Sequence, residues 1–149
     1  MKKAIKKKEV KELIKTLFEL YDLEFSKKDK FELDHNVVLI NGESKFFYYE
    51  KKLVPTLRFI LKNSLLKTIT VDMGAVPYAA KGVDMMRPGI TEFDEDIEKN
   101  EFIVIVDETH KKPIAIGLTL FSGQEIKDMK TGKIVKNIHY VGDNIWNSA

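Results

Sequence analysis

The run Val71-Asp72-Met73-Gly74-Ala75-Val76-Pro77-Tyr78-Ala79-Ala80-Lys81-Gly82-Val83-Asp84-Met85-Met86-Arg87-Pro88-Gly89-Ile90 admits very few folds. Thr68 to Asp72 is a short β-branched segment, Gly74 breaks it, and Pro77 falls in the first turn of a helix that Gly82 ends. Proline suits a first helical turn because its missing N–H would be unpaired there, and glycine closes a helix in the left-handed conformation without a Cβ clash. The pattern is strand, tight turn, one helical turn, strand. Pro88-Gly89 after Met85-Met86 predicts a type II turn, whose third position favours glycine.

Downstream, Thr91 to Asn100 reads as an acidic loop and Phe102 to Val106 as an apolar strand. Glu108 to Lys112 is a hairpin turn, and Ile114 to Leu120 returns with Gly117 marking a bulge or bend. Ile134-Val135 and Ile138 to Val141 supply further strand, followed by Asp143 to Trp146. Many short strands with little helix predict a small mixed barrel.

Upstream, Val10, Leu13, Ile14, Leu17, Phe18 and Tyr21 recur at spacings of three and four, so residues 7–23 form an amphipathic helix. Lys2, Lys3, Lys6, Lys7 and Lys8 lead into it, as a frayed, solvated start or as a phosphate-contacting arm. Phe31 to Asp34 and Val37 to Ile40 read as strands, Asn41-Gly42 as a type I′ hairpin turn, and Ser44 to Glu50 as the returning strand. Alternation sends two of Phe46, Phe47, Tyr48 and Tyr49 to each sheet face. One pair fills a core; the other is either covered or left exposed for stacking. Leu53 to Lys62 is expected to be a second helix, and residues 63–67 a junction whose Leu65 and Leu66 are too apolar for a free linker, so the two parts should pack together.

The glycine turn, short helix, second glycine and Pro-Gly-Ile resemble the first third of the PUA domain, named for pseudouridine synthases and archaeosine transglycosylases. The resemblance continues through Asn100 to Val106, Ile114 to Leu120, Lys136 to Tyr140 and Asp143 to Trp146. Phe46-Phe47 followed by Pro55-Thr56-Leu57-Arg58 resembles the small domain that precedes PUA in the malignant T-cell-amplified-sequence family, which includes the N-terminal part of ligatin. The expected architecture is α+β: an N-terminal helix-plus-antiparallel-sheet domain over residues 1–66, then a PUA-type mixed β-barrel with short helices over residues 67–149.

Several function classes find no support. With no cysteine, the 149 residues offer no disulfide or thiolate zinc site. No apolar run approaches the roughly 20 residues needed to span a bilayer, and the lysine-rich start lacks the apolar core of a signal peptide, so no membrane association and a cytoplasmic location are expected. No phosphate-binding glycine loop, dinucleotide fingerprint or nucleophile elbow is present. His35, His110 and His139 lack metal-ligand spacing. The acids between Glu92 and Glu98 lack the glycine and terminal glutamate of a calcium loop. The reading is a non-enzyme without cofactor, metal or small-molecule substrate.

Charge is unevenly spread. Residues 1–67 carry 16 basic and 10 acidic side chains, and residues 68–149 carry 9 and 13. Nucleic-acid affinity comes largely from phosphate neutralisation, which the second part lacks on average. Its Lys127, Lys130, Lys133 and Lys136 nevertheless fall together.

The resemblance implies binding to structured RNA with a duplex and an adjacent single-stranded end. On this chain it points to Gly74, Ala75 and Val76, whose N–H groups at a helix N-terminus can hold a phosphate. It further points to Tyr78 for stacking, to Lys81 and Arg87 beside Gly82 as mobile charges, and to Lys133, Lys136 and His139 on the closing strands. Where eukaryotic members commonly carry lysines, this chain has Met73 and Pro77. The family acts on the small ribosomal subunit, in initiation and in removing deacylated tRNA, in part with the density-regulated protein. The resemblance thus implies a translation factor binding small-subunit rRNA or tRNA, with a density-regulated-protein-like factor as a possible partner. An accessory subunit delivering tRNA or guide RNA to a separate modification enzyme is the alternative.

Overall fold

The computed structural model describes residues 1–148. Two sheets organise them. The first is antiparallel and runs in chain order through β1 (Lys2–Ala4), β2 (Phe31–Asp34), β3 (Val37–Ile40), β4 (Glu43–Tyr49) and β5 (Lys52–Pro55). The second is mixed, with spatial order β7-β11-β10-β9-β6-β8, built from β6 (Thr68–Val71), β7 (Met85–Met86), β8 (Ile90–Phe93), β9 (Phe102–Asp107), β10 (Pro113–Thr119) and β11 (Lys133–Tyr140). Its helices are short: α3 (Val76–Ala79) and α4 (Gly123–Asp128), while α1 (Lys7–Tyr21) and α2 (Leu57–Ile60) belong to the first part of the chain.

Helix α1 lays Leu13 and Leu17 on the first sheet, where they pack with Phe31, Val38, Ile40, Phe46 and Leu53. The hairpin between β3 and β4 turns at Asn41 and Gly42, both with positive φ (54° and 82°), as a type I′ turn requires. Both faces of β4 are covered. Phe46 is buried towards α1, with Tyr21 and Phe25 against it, and Phe47 is buried on the opposite side against His139. Tyr48 and Tyr49 are half-buried, so the run leaves no exposed stacking pair.

In the second sheet only β6 and β9 run parallel. Its two edge strands, β7 and β8, are joined by the three-residue 3-10 turn Arg87–Gly89, so the edges meet and the sheet wraps around one core. Ile69, Val71, Met85, Ile90, Ile105, Ile134 and Val135 meet there, and Ile126 of α4 joins them. Gly117 allows the wrap: a Cβ there would lie 2.2 Å from Val135 Cγ1, and the β10–β11 register shifts between Ile116 and Gly117. A third apolar cluster lies between the two parts, with Val37, Phe47, Val54, Leu57 and Ile60 against Val104, Val106 and Ile116. Leu65, Leu66, Ile138, Ile145 and Trp146 pack onto it, so the two parts share a core.

Four expectations are corrected. The proposed helix Leu53 to Lys62 begins as strand β5: Pro55 ends an edge strand, where a missing N–H costs no ladder bond, and Thr56 caps the shorter α2 by accepting from Phe59 N–H. Pro88-Gly89 lies in a 3-10 turn without positive φ at Gly89, not in a type II turn. The acidic loop begins only after Phe93, because Ile90–Phe93 pairs with β6. The lysine-rich start is not frayed, since Lys2–Ala4 pairs with β2.

Candidate nucleic-acid interface

Strand β6 delivers the chain to the glycine turn, which is closed by its own carboxylates. Asp72 Oδ1 accepts the Ala75 N–H at 2.8 Å, and Glu108 Oε1 accepts the Met73 N–H at 3.2 Å. Asp72 N–H donates to Gly89 O at 2.9 Å, which stitches the Arg87–Gly89 turn alongside. The phosphate cradle expected of Gly74, Ala75 and Val76 is therefore altered: the Ala75 N–H is committed and two acids stand beside it. An arriving phosphate would face their repulsion.

Beyond the turn, α3 buries Ala79 and leaves Tyr78 59% exposed. The segment after α3 is fixed from β11. Asn137 Nδ2 donates to Ala79 O at 3.0 Å and Val83 O at 3.2 Å, and Asn137 N–H donates to Asp84 Oδ1 at 2.8 Å. Gly82, at φ +88°, lies flat against the Tyr140 ring, where a Cβ would approach Cε1 to 2.5 Å. Lys81 is exposed and forms no ion pair among the described residues. Met73, Val83 and Met86 of the same stretch are also exposed.

The remaining candidates divide by what holds them. Arg87 is not a mobile charge: its Nε donates to Ile126 O and its guanidinium NH1 to Ile90 O, both at 3.0 Å, and the group lies 5.3 Å from the Phe93 ring centroid. It ties α4 to the edge of the sheet. Lys133 is exposed but pairs with Asp84 at 3.1 Å, which cancels much of its charge. Lys136 turns towards Tyr49 of β4, an interaction that raises its pKa. Of the neighbouring lysines, Lys127 pairs with Glu95 at 3.0 Å and Lys130 has no ion-pair partner among the described residues.

His139 is removed from the contact set because its side chain is wholly buried. Its Nε2 accepts Leu57 N–H at 3.1 Å, and Nδ1 lies 2.9 Å from Asp143 Oδ2. The Leu57 donor demands a lone pair on Nε2, so Nδ1 carries the proton and donates to Asp143. Burial would raise the Asp143 pKa, but hydrogen bonds from His139 and from the Trp146 and Tyr140 N–H groups outweigh it and hold it below the ordinary carboxylate range. Asn137, which holds Ala79, Val83 and Asp84, and Asp143, which holds His139, Tyr140 and Trp146, sit in the sequence as ordinary polar residues; only their place next to apolar strand positions marks them.

Tyr78 on a short helix pinned to the last strand, Lys81 in the turn just beyond it, and Gly82 packed on Tyr140 are the exposed and anchoring parts of this stretch. The PUA-domain model matches residues 67–141, and the chain belongs to the PUA-domain family. A structure of a hypothetical protein from Pyrococcus horikoshii superposes over 100% of both chains with TM-score 0.81 at 32% identity. Translation machinery-associated protein 20 of Schizosaccharomyces pombe is 34% identical over 72% of this chain and 62% of its own length. The malignant T-cell-amplified sequence 1 homolog of Dictyostelium discoideum is 32% identical over 76% of this chain and 65% of its own, so this chain spans under two thirds of either relative. No helix among the described residues is long and apolar enough to cross a membrane.

Proposed function

We propose that this chain is a cytoplasmic RNA-binding translation factor that holds small-subunit rRNA, tRNA or both, in initiation or in recycling. The observation that carries the reading is Tyr78, exposed on a helix stitched down by Asn137, with Lys81, which has no ion pair among the described residues, in the turn that follows the helix. An aromatic face beside a free cation suits a base or ribose next to a phosphate. The translation-related names of relatives over most of the chain support the same reading.

In this reading Tyr78 stacks, Lys81 neutralises a phosphate, and Gly74 and Val76 lie close enough to the surface for backbone contact. Lys133 assists once Asp84 is displaced, and Lys136 contacts RNA at the rim. Gly82, Ala75, Arg87 and His139 shape the face without touching the ligand. Residues 1–66 and 67–149 act as one body through their shared core, and a density-regulated-protein-like factor is a candidate partner.

The test is co-sedimentation with purified small ribosomal subunits across a salt series, with deacylated tRNA in parallel. Saturable subunit binding that falls steeply with salt is expected. Binding to tRNA alone would shift the role to an accessory subunit of RNA modification, and binding to neither would overturn the proposal.

A further inference from the structure

We propose that the outward flank of α1 is a second RNA-contact surface, a lysine ridge ending in an aromatic side chain. The proposal rests on the RNA-binding reading above but concerns a different face.

Lys7, Lys11 and Lys15 follow one another at four-residue intervals, so they line one side of α1 about 6 Å apart along its axis. Lys2, Lys3 and Lys6 lead into the ridge. All six are exposed, and none forms an ion pair among the described residues. The contrast with the second part of the chain is sharp: there Lys111, Lys127 and Lys133 each hold a carboxylate within about 3 Å.

The acids of α1 stand mostly elsewhere. Glu9 and Glu12 face the groove lined by Tyr48 and Leu53, together with Lys8 and Leu20, and only Glu19 follows at the ridge's far end. Phe18 lies three residues beyond Lys15 on the ridge side and is 49% exposed. Regularly spaced cations beside a solvent-facing ring match a strand that offers repeated phosphates and planar bases. An acidic peptide offers the charge without the planar groups. A lipid surface is disfavoured because the apolar side of α1 is spent on the first sheet, with Leu13 and Leu17 buried, and is not available for insertion.

The test uses the full chain and a fluorescent RNA hairpin with a single-stranded 3′ tail, measured by anisotropy across a salt series. Replacing Lys7, Lys11 and Lys15 together by Gln should lower the slope of log affinity against log salt by about 2 to 3, at roughly 0.9 per phosphate contact. Phe18→Ala should weaken binding about fivefold or more with the slope unchanged, in line with loss of one stacked base. Thermal midpoints should stay at the wild-type value, since all four side chains are exposed. A wild-type slope in the triple variant, with binding weakened by Tyr78→Ala and Lys81→Gln, would overturn the ridge while leaving the RNA reading intact. If neither set of substitutions alters binding, both proposals fall. Retention by phosphatidylserine-containing vesicles that the triple variant abolishes, with RNA binding unaffected, would assign the ridge to lipid and overturn the proposal.

Discussion

His139 Nε2 accepts the backbone N–H of Leu57 at 3.1 Å, joining the last strand of the mixed sheet to the helix that follows the first sheet. Leu57 opens α2, so its N–H is one of the helix's orphan donors, and no water reaches it. His139→Leu keeps the apolar surroundings but leaves that donor buried and unpaired, along with one Asp143 partner. A loss of about 1–3 kcal/mol is expected in urea denaturation. An unchanged midpoint would show that the contact does not couple the two parts.

Asp143 has its pKa lowered in the folded chain, burial being outweighed by the hydrogen bonds from His139, Trp146 and Tyr140. A depressed carboxylate binds fewer protons folded than unfolded, so its stabilisation is present above about pH 4 and is lost as pH falls through the folded value. Asp143→Asn should lower stability at neutral pH and make the acid limb of the stability–pH curve shallower. Parallel acid limbs for the two proteins would contradict this.

Gly82 has φ +88°, and its α-hydrogen side faces the Tyr140 ring at a distance no Cβ tolerates. Gly82→Ala therefore combines backbone strain with displacement of the ring, for an expected loss of about 1–3 kcal/mol. Amide exchange should quicken between Tyr78 and Asp84 in this variant. Protection equal to wild type would mean that the ring moves aside freely.

Arg87 and Lys81 look interchangeable in the sequence, yet their surroundings predict opposite phenotypes. Arg87→Gln removes two bonds to carbonyls and the contact with Phe93, so about 1–3 kcal/mol of stability should go while the salt slope of RNA binding changes little. Lys81→Gln should leave the melting temperature alone and reduce the salt slope by about 0.9. A reversed pattern would place the free charge at Arg87.

The strand–turn–helix–strand unit is legible because Pro77 fixes its own φ in a first helical turn and Gly82 takes the positive φ that ends the helix, and Asn41-Gly42 marks its hairpin by the same positive φ. Helix α4 has no legible period, because its six residues carry too few apolar positions, although Ser122 and Glu125 form a capping box. Strand β5 reads as helix from the sequence because Pro55 suits an edge strand and a first helical turn equally. The candidate residues can be named from the sequence, but what holds each of them cannot. Whether Arg87 is held by carbonyls, whether Lys133 meets Asp84, and whether His139 faces Leu57 depend on pairings 39, 49 and 82 residues apart, respectively. No local pattern records them.

The central claim is tested most directly by titrating the isotopically labelled chain with the tailed RNA hairpin and following each backbone amide by NMR. Shifts on Gly74 to Met86 and on Lys133 to Tyr140, beside those that the α1 ridge contributes, are the predicted result. Saturable RNA binding that leaves those amides unmoved would contradict it.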